Sequence, residues 1–397
     1  MSIEKTLGPI LAKLSDVGKP QRKFMAELFS VLLGHQGRAT FENLARYSCF
    51  TELTFRRWFA RFFDWVEFNT ACMALYPGDY IGVIDCTFVP KSGKTTYGLG
   101  KFWSSCAGKA QRGLEASVLA CVNVATKQCF ALEATQTPPG ITPRDGRVYS
   151  RLSFYLEQLS DCLPRLTALT HWVGDGFYAK KEVFDLLANA GRHLSTRLRS
   201  DADLHHLWLG GRQPGQRGPN RKYDGKARFE DLGRWEAVGA HPVHDHISLY
   251  TQLLYSKRFA STLPVVLLLD TRSNKYVLLA STHLHQQPAQ VAYYYHLRFQ
   301  IELLFRDAKQ FTGMTQCQAR SQDKLDFHLN ASLAAINVAR LMLEKDESLH
   351  NSINALVRRM TDRRIWQVIY RQLGLEGLVD VNQFDSLQCQ FWRRKAA

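Results

Sequence analysis

The sequence predicts a mixed α/β fold: a mixed sheet flanked by helices, with a β-rich insertion and helical N- and C-terminal regions. Three observations carry this. Apolar residues keep helical spacing up to about Arg61 and again after Pro288. Between Asp79 and Leu198, short strand-like apolar runs alternate with helical ones. A stretch rich in Gly, Pro, Arg and Lys, from Gly210 to Arg228, then leads into a second set of strand-like runs. The chain has 397 residues, 45% of them hydrophobic and 12% aromatic, enough to fill one large core or two to three smaller ones.

In the first region, Phe24 to Leu33 is apolar-rich and ends at Gly34. Two short helical segments follow, Phe41 to Tyr47 and Glu52 to Arg61, with Thr40 and Thr51 as N-caps. Two short helices joined by a brief turn suggest a helix-turn-helix whose second helix carries Arg56, Arg57 and Arg61. A small helical bundle with a solvated basic face fits the same residues.

From Asp79 the period changes. Tyr80 to Asp85 is a β-type run, followed by turn chemistry from Pro90 to Gly93. Leu114 to Val124 and Gln128 to Ala134 read as a hairpin around Ala125-Thr126-Lys127. Then come a helix over Tyr149 to Leu163, a strand over His171 to Asp175, a helix over Lys180 to Ala190 closed by Gly191, and a strand over His193 to Leu198. The order is three strands, helix, strand, helix, strand, with Asp85 and Asp175 near the ends of two strands. Beyond the basic entry, Ile247 to Tyr255, Leu263 to Leu269 and Tyr276 to Ala280 read as strands.

Lys and Arg total 51 against 36 Asp and Glu, a net charge of +15. Such a surplus points to a polyanionic partner, nucleic acid first, because a phosphate array rewards spread-out cations through counterion release. No apolar run is long enough to span a bilayer, and the N-terminus lacks the apolar core of a signal peptide. Nine cysteines without a regular framework suggest free thiols in a reducing cytoplasm.

The most informative segment runs from Tyr295 to Lys309 and reads Y-x2-R-x3-E-x6-K without a gap. On a helix at about 100° per residue, Tyr295, Arg298, Glu302 and Lys309 fall within an arc of roughly 60°. A carboxylate flanked by two cations and a phenol on one face suits a metal ion held by the acid and phosphates gripped on either side.

The segment resembles the Y-R-E-K signature of the DDE transposases of bacterial insertion sequences. The resemblance runs from about Tyr80 to about Met314. Val83-Ile84-Asp85-Cys86-Thr87 fits the first family aspartate, placed at the end of the first strand; Gly174-Asp175-Gly176-Phe177-Tyr178 fits the second; Glu302 is the third acid. The roughly 127 residues between Asp175 and Glu302 leave room for the family's β-rich insertion. The resemblance implies an RNase H-like catalytic domain and two Mg²⁺ ions per site, with Mn²⁺ able to substitute. Asp85 is then shared by both ions, while Asp175 and Glu302 each hold one. It further implies double-stranded DNA partners, namely element ends and target DNA. It implies a homodimer on that DNA, cut-and-paste movement through hairpin ends, no nucleotide cofactor, and a nucleoid-associated place in a bacterial cytoplasm.

The expected division is a helical DNA-binding region at 1–75 and the catalytic domain at 76–204 and 288–345. The insertion occupies 205–287, and a helical C-terminal region 346–397. Arg358, Arg359, Arg363, Arg364 and Arg371 in the tail are expected to serve subunit or DNA contacts. Hairpin-forming relatives stack an insertion aromatic on a flipped base; the matching stretch is Lys275-Tyr276-Val277, with Tyr276 where the family has Trp and with Trp208 and Trp235 as rivals. Core packing is the alternative for each. Ser92-Gly93-Lys94-Thr95 lacks the leading Gly of a phosphate loop, which excludes nucleotide binding there. Lys91, Lys94 and Lys101 are placed to line a DNA path or to be solvated. His241, His244 and His246 lack a zinc spacing. Rival readings are a catalytically silent domesticated transposase that only binds DNA, an RNase H-like nuclease for RNA or branched DNA, and a DNA-packaging protein.

Overall fold

Five helices, the last three with side-chain N-caps, build the N-terminal region: α1 (Ile3–Lys13), α2 (Lys19–Gly34), α3 (Phe41–Arg46), α4 (Glu52–Trp58) and α5 (Trp65–Ala74). The structure is a computed structural model that describes residues 3–141, 149–212, 217–345 and 352–374, together with residues 215 and 349. Thr40 and Thr51 cap α3 and α4 as expected, accepting from the backbone N–H of Asn43 (3.2 Å) and Thr54 (3.3 Å). Phe24 of α2 meets Phe55 and Trp58 of α4 at ring-centroid distances of 5.5 and 5.4 Å, which seats the α3–α4 pair on α2.

The strands follow as β1 (Tyr80–Pro90), β2 (Gly100–Ser104), β3 (Lys109–Asn123) and β4 (Cys129–Gln136). Next come α6 (Arg151–Cys162), β5 (His171–Gly174), α7 (Lys181–Asn189) and β6 (His193–Leu198). The insertion contributes β7 (Leu204–Leu207), β8 (Tyr223–Lys226), β9 (Glu236–Ala240), β10 (Ile247–Ser256), β11 (Ser261–Asp270) and β12 (Lys275–Ser281). The chain then runs through α8 (Pro288–Leu297), α9 (Gln300–Phe311), α10 (Gln322–Glu344) and α11 (Ile353–Gln372). Gln213, Pro214 and Gln216 of the basic entry and residues 375–397 of the expected tail lie outside the described residues.

All twelve strands join one sheet in the order β2-β3-β1-β5-β6-β12-β11-β10-β7-β8, with β4 on β3 and β9 on β10. Only β1–β5 and β5–β6 pair in parallel. A mixed sheet flanked by helices, with helical regions at both ends, is therefore the observed class. The insertion does not fold back as a separate sheet: β12 pairs with β6 and extends the central sheet outward.

Four strands precede α6 rather than three. The extra one, β2, is five residues long and pairs with the first third of β3; so short a run gives little periodicity to read. A second correction concerns β1. It does not end at Asp85 but continues to Pro90, because β3 pairs with it along its whole length. What stops beside Asp85 is the parallel neighbour β5.

The main core lies where the N-terminal helices, the first half of the sheet and α9–α10 meet. Helix α10 is buried along most of its length and covers the free edge of β4. Asn330 accepts from the N–H of Ala134 (2.8 Å) and donates to its carbonyl (2.6 Å); Asn337 does the same for Ala131, at 2.9 Å each way. Two buried amides thus satisfy backbone groups that no neighbouring strand reaches. The tail helix α11 lies on α2, and its Arg364 is buried, paired with Glu27 and donating to the Tyr47 carbonyl. That correction makes Arg364 an internal clamp rather than a surface cation, and Arg371 adds a bond to the Ser48 carbonyl (3.2 Å).

Candidate active site

Two parallel strands fix the first two acids. Gly82, Val83 and Ile84 of β1 stand in register with Trp172, Val173 and Gly174 of β5, so Asp85 and Asp175 are the next residues on neighbouring strands. Neighbouring strands lie about 4.8 Å apart, which brings the two carboxylates to one end of the pair. Gly82 is required for this register: a Cβ there would stand 2.5 Å from the Trp172 ring, which is fully buried against the strand.

Each acid is oriented by its own backbone. Asp85 Oδ1 accepts from the N–H of Cys86 at 2.8 Å, leaving Oδ2 for a partner. Asp175 Oδ1 accepts from the N–H of Phe177 at 2.9 Å, capping a single 3-10 turn at Gly176–Tyr178. The hydroxyl of Thr196 on β6 donates to the Asp175 carbonyl at 2.8 Å and holds that turn to the sheet.

The signature segment does not form one straight helix. It divides into α8 and α9, and around Arg298 and Phe299 the backbone keeps helical torsions but bonds to the third residue back instead of the fourth. The tightened turn places Arg298 over the sheet. Its Nη1 donates to Asp85 Oδ2 at 2.9 Å and its Nη2 to Glu302 Oε1 at 3.0 Å. The guanidinium joins the acid of β1 to the acid of α9, with its Cζ also 5.8 Å from the Tyr295 ring centre.

The electrostatics follow from burial. Burial pushes the Asp85 carboxyl up to about 6; Arg298 pulls it down, and the negative charges of Asp175 and Glu302 push it further up. Burial alone would lower Arg298, but Asp85, Tyr295, Glu302 and Asp175 together hold it above its ordinary value. One guanidinium therefore bonds two carboxylates and sits in the field of a third, Asp175, and its Nε is buried without a hydrogen-bond partner. This donor set, three carboxylates with one cation between them, is the oxygen-rich and charge-deficient chemistry that suits a hard divalent ion. Among the described residues, no three His, Cys, Asp or Glu side chains are gathered tightly enough to hold an ion in this conformation, in which Arg298 joins Asp85 to Glu302.

A family model described as a transposase DDE domain matches residues 76–338. The chain belongs to that family. No curated protein matches it. Membership supports a DNA transposase function and implies DNA as partner, and transposases of this kind generally use divalent metal ions. The matched span covers the sheet, both strand-borne acids and the signature helices. No helix among the described residues is long and apolar enough to cross a membrane.

Within this DDE domain the remaining sequence-chosen residues separate. Tyr295 stays beside the acids: burial raises its phenol, while Arg298 and Arg197 pull it down. Lys309 sits two turns beyond Glu302 and, among the described residues, makes no ion pair with the acids; burial lowers its pKa, opposed by Cys106. Tyr276 lies apart, on β12 opposite Leu269, its ring 5.9 Å from Phe229 in the insertion's own core. Trp235 is buried in that core, and Trp208 carries Arg221 over its ring at 4.5 Å. Arg56 and Arg57 are exposed on α4, with Arg56 bound to Glu52 at 2.5 Å. The histidines gain a fourth member, since His296 lies 5.1 Å from His244 and 5.9 Å from His241. Sequence reading did not pick Thr196 or Arg197, which act here only because β6 is the next parallel strand.

Proposed function

We propose that the chain hydrolyses phosphodiester bonds at the ends of an insertion sequence and joins the freed 3′-hydroxyl ends to target DNA. Asp85, Asp175 and Glu302 form its catalytic set. The observation that carries this reading is the convergence of Asp85, on a strand, and Glu302, on a helix more than two hundred residues later, upon one guanidinium beside Asp175.

Asp85, Asp175 and Glu302 would hold two Mg²⁺ ions, Asp85 serving both and Asp175 and Glu302 one each, with Mn²⁺ able to substitute. Bound there, the ions would supply activation of an attacking oxygen and stabilisation of a leaving one. The chain's own groups do the rest. The Cys86 and Phe177 N–H groups hold the two aspartates in fixed rotamers. Arg298, Tyr295 and Lys309 lie along the signature helices, where a scissile strand's phosphates meet cations and a phenol. The helical region at 1–75, with Arg56 and Arg57 exposed, binds the element ends, and the catalytic parts at 76–204 and 288–345 act on them. The insertion at 205–287 and the C-terminal region at 346–397 support the complex. Two copies hold two ends, and movement is cut-and-paste through hairpin ends.

Strand transfer tests this reading. A duplex ending in the element's terminal repeat, incubated with Mg²⁺ and a supercoiled plasmid, is expected to be nicked at the element boundary and joined to the plasmid. Duplex binding with neither product, in Mg²⁺ or Mn²⁺, would leave a DNA-binding protein without the chemistry.

A further inference from the structure

Away from the acids, a cleft of about 1600 Å³ opens between the N-terminal helices, the β1–β2 connection and the segment joining α9 to α10. It exceeds the roughly 300–1,000 Å³ of ordinary small-ligand sites. Its walls carry seven Lys and Arg side chains and two carboxylates. Both carboxylates are already used, Glu42 by Arg46 and Glu52 by Arg56. Arg38 comes from the N-terminal region, Lys94 from the β1–β2 connection, and Arg320 and Lys324 from the entry to α10. Among the described residues none of these four has a carboxylate within ion-pairing distance, and Arg38, Lys94 and Arg320 are exposed.

The three walls are pinned to one another. The Ala39 N–H donates to Gln316 Oε1 at 2.8 Å, joining the N-terminal wall to the α9–α10 segment. The Lys91 ammonium donates to the Cys317 carbonyl and the Tyr97 N–H to the Arg320 carbonyl, the latter at 2.9 Å, joining that segment to the β1–β2 connection. Beneath them, the Phe59 ring packs 4.6 Å from Phe327 of α10. The cations are thus carried on a preformed frame, which lowers the ordering cost of binding.

We infer that this cleft grips the phosphate backbone of duplex DNA, as a track continuous between the N-terminal helices and the catalytic sheet and separate from the acid site. The inference rests on the transposase reading for its partner. An open, wide, positively charged trough with little paired charge fits a repeating polyanion better than one small anion, and lysine and arginine ends without fixed base-reading partners fit phosphates better than base edges.

The test is the salt dependence of duplex binding, measured on the full chain with a labelled duplex of random sequence and with one carrying the element's terminal repeat. The variant is Lys94→Ala/Arg320→Ala/Lys324→Ala. Each lost phosphate contact removes about 0.9 from the slope of log K against log [salt]. The triple variant is expected to bind both duplexes more weakly and with a slope shallower by about 3, and Lys94→Arg/Lys324→Arg to keep the wild-type slope. An unchanged slope in a triple variant that melts like the wild type would overturn the inference and leave the transposase reading standing. A loss confined to the terminal-repeat duplex would also overturn it, because the cleft would then read bases. Failure of the wild type to bind any duplex would overturn the inference and the reading together.

Discussion

Arg298 donates to Asp85 at 2.9 Å across 213 residues of chain and, with its other nitrogen, to Glu302 one turn ahead at 3.0 Å. The link ties α9 to β1 and sets the charge of the site. Arg298→Ala removes the guanidinium bound to Asp85, a half-buried carboxylate that burial already pushes up to about 6. The expected loss of stability is about 1.5–3 kcal/mol, the range for hydrogen bonds to charged groups. A double-mutant cycle with Asp85→Ala in urea measures it, and a coupling near zero would show that the pair holds nothing together.

Gly82→Ala is expected to cost about 1–3 kcal/mol, the usual range for overpacking, because its Cβ would meet Trp172 at 2.5 Å. The same clash disturbs the β1–β5 register that sets Asp85 beside Asp175. Activity is therefore expected to fall more steeply than stability alone explains. Thermal melts alongside nicking rates separate the two effects, and a variant with wild-type values in both would refute the packing argument.

Asn337→Ala leaves the Ala131 N–H and carbonyl buried and unpaired, together with its bond to Asn69. An expected loss of about 1–3 kcal/mol for each unsatisfied group makes this among the most damaging single changes in α10. Chemical denaturation of Asn337→Ala against Asn337→Asp gives the comparison; a loss under about 0.5 kcal/mol, the ordinary surface value, would contradict it.

Much of this was legible in the sequence. The runs at His171 to Asp175, His193 to Leu198 and the three long insertion strands have strand composition and clear turn boundaries, and each is present, the first ending at Gly174. The caps at Thr40 and Thr51 were legible because a capping oxygen is a local feature. The reach of β1 past Asp85 was not, since it depends on the length of β3 more than on residues 86–90 themselves. Nor was the tightened turn at Arg298, where periodicity continues while the hydrogen bonding shifts. The role of Asn330 and Asn337 was not legible either, because it depends on the edge of β4 beside them. Asp85, Asp175 and Glu302 could be picked out, but the guanidinium that joins Asp85 to Glu302 required the fold.

Acid sensitivity follows from two histidine groups. Burial, aided by His193 and His283, lowers His171 from 6.5 to about 4; burial, aided by His244 and His296, does the same to His241. Both folded values lie below the unfolded one, so the unfolded chain binds more protons between about pH 6.5 and 4. Their stabilisation is complete above pH 6.5 and lost as pH falls through that window. Asp85, whose value is raised, acts in the opposite sense. Melting of His171→Asn/His241→Asn is expected to fall less than the wild type between pH 7 and 4; parallel melting curves across that range would contradict the assignment.

The most direct test compares cleavage by the wild type and Glu302→Gln on a labelled duplex carrying the element's own terminal inverted repeat, with Mg²⁺. Glu302 is half-exposed, so the variant is expected to fold and bind DNA like the wild type. Nicking is expected to fall by more than the roughly 10–100-fold that loss of a mere outer-shell partner costs a metal site. A variant that cleaves as well as the wild type would contradict the assignment of Asp85, Asp175 and Glu302 as the catalytic set.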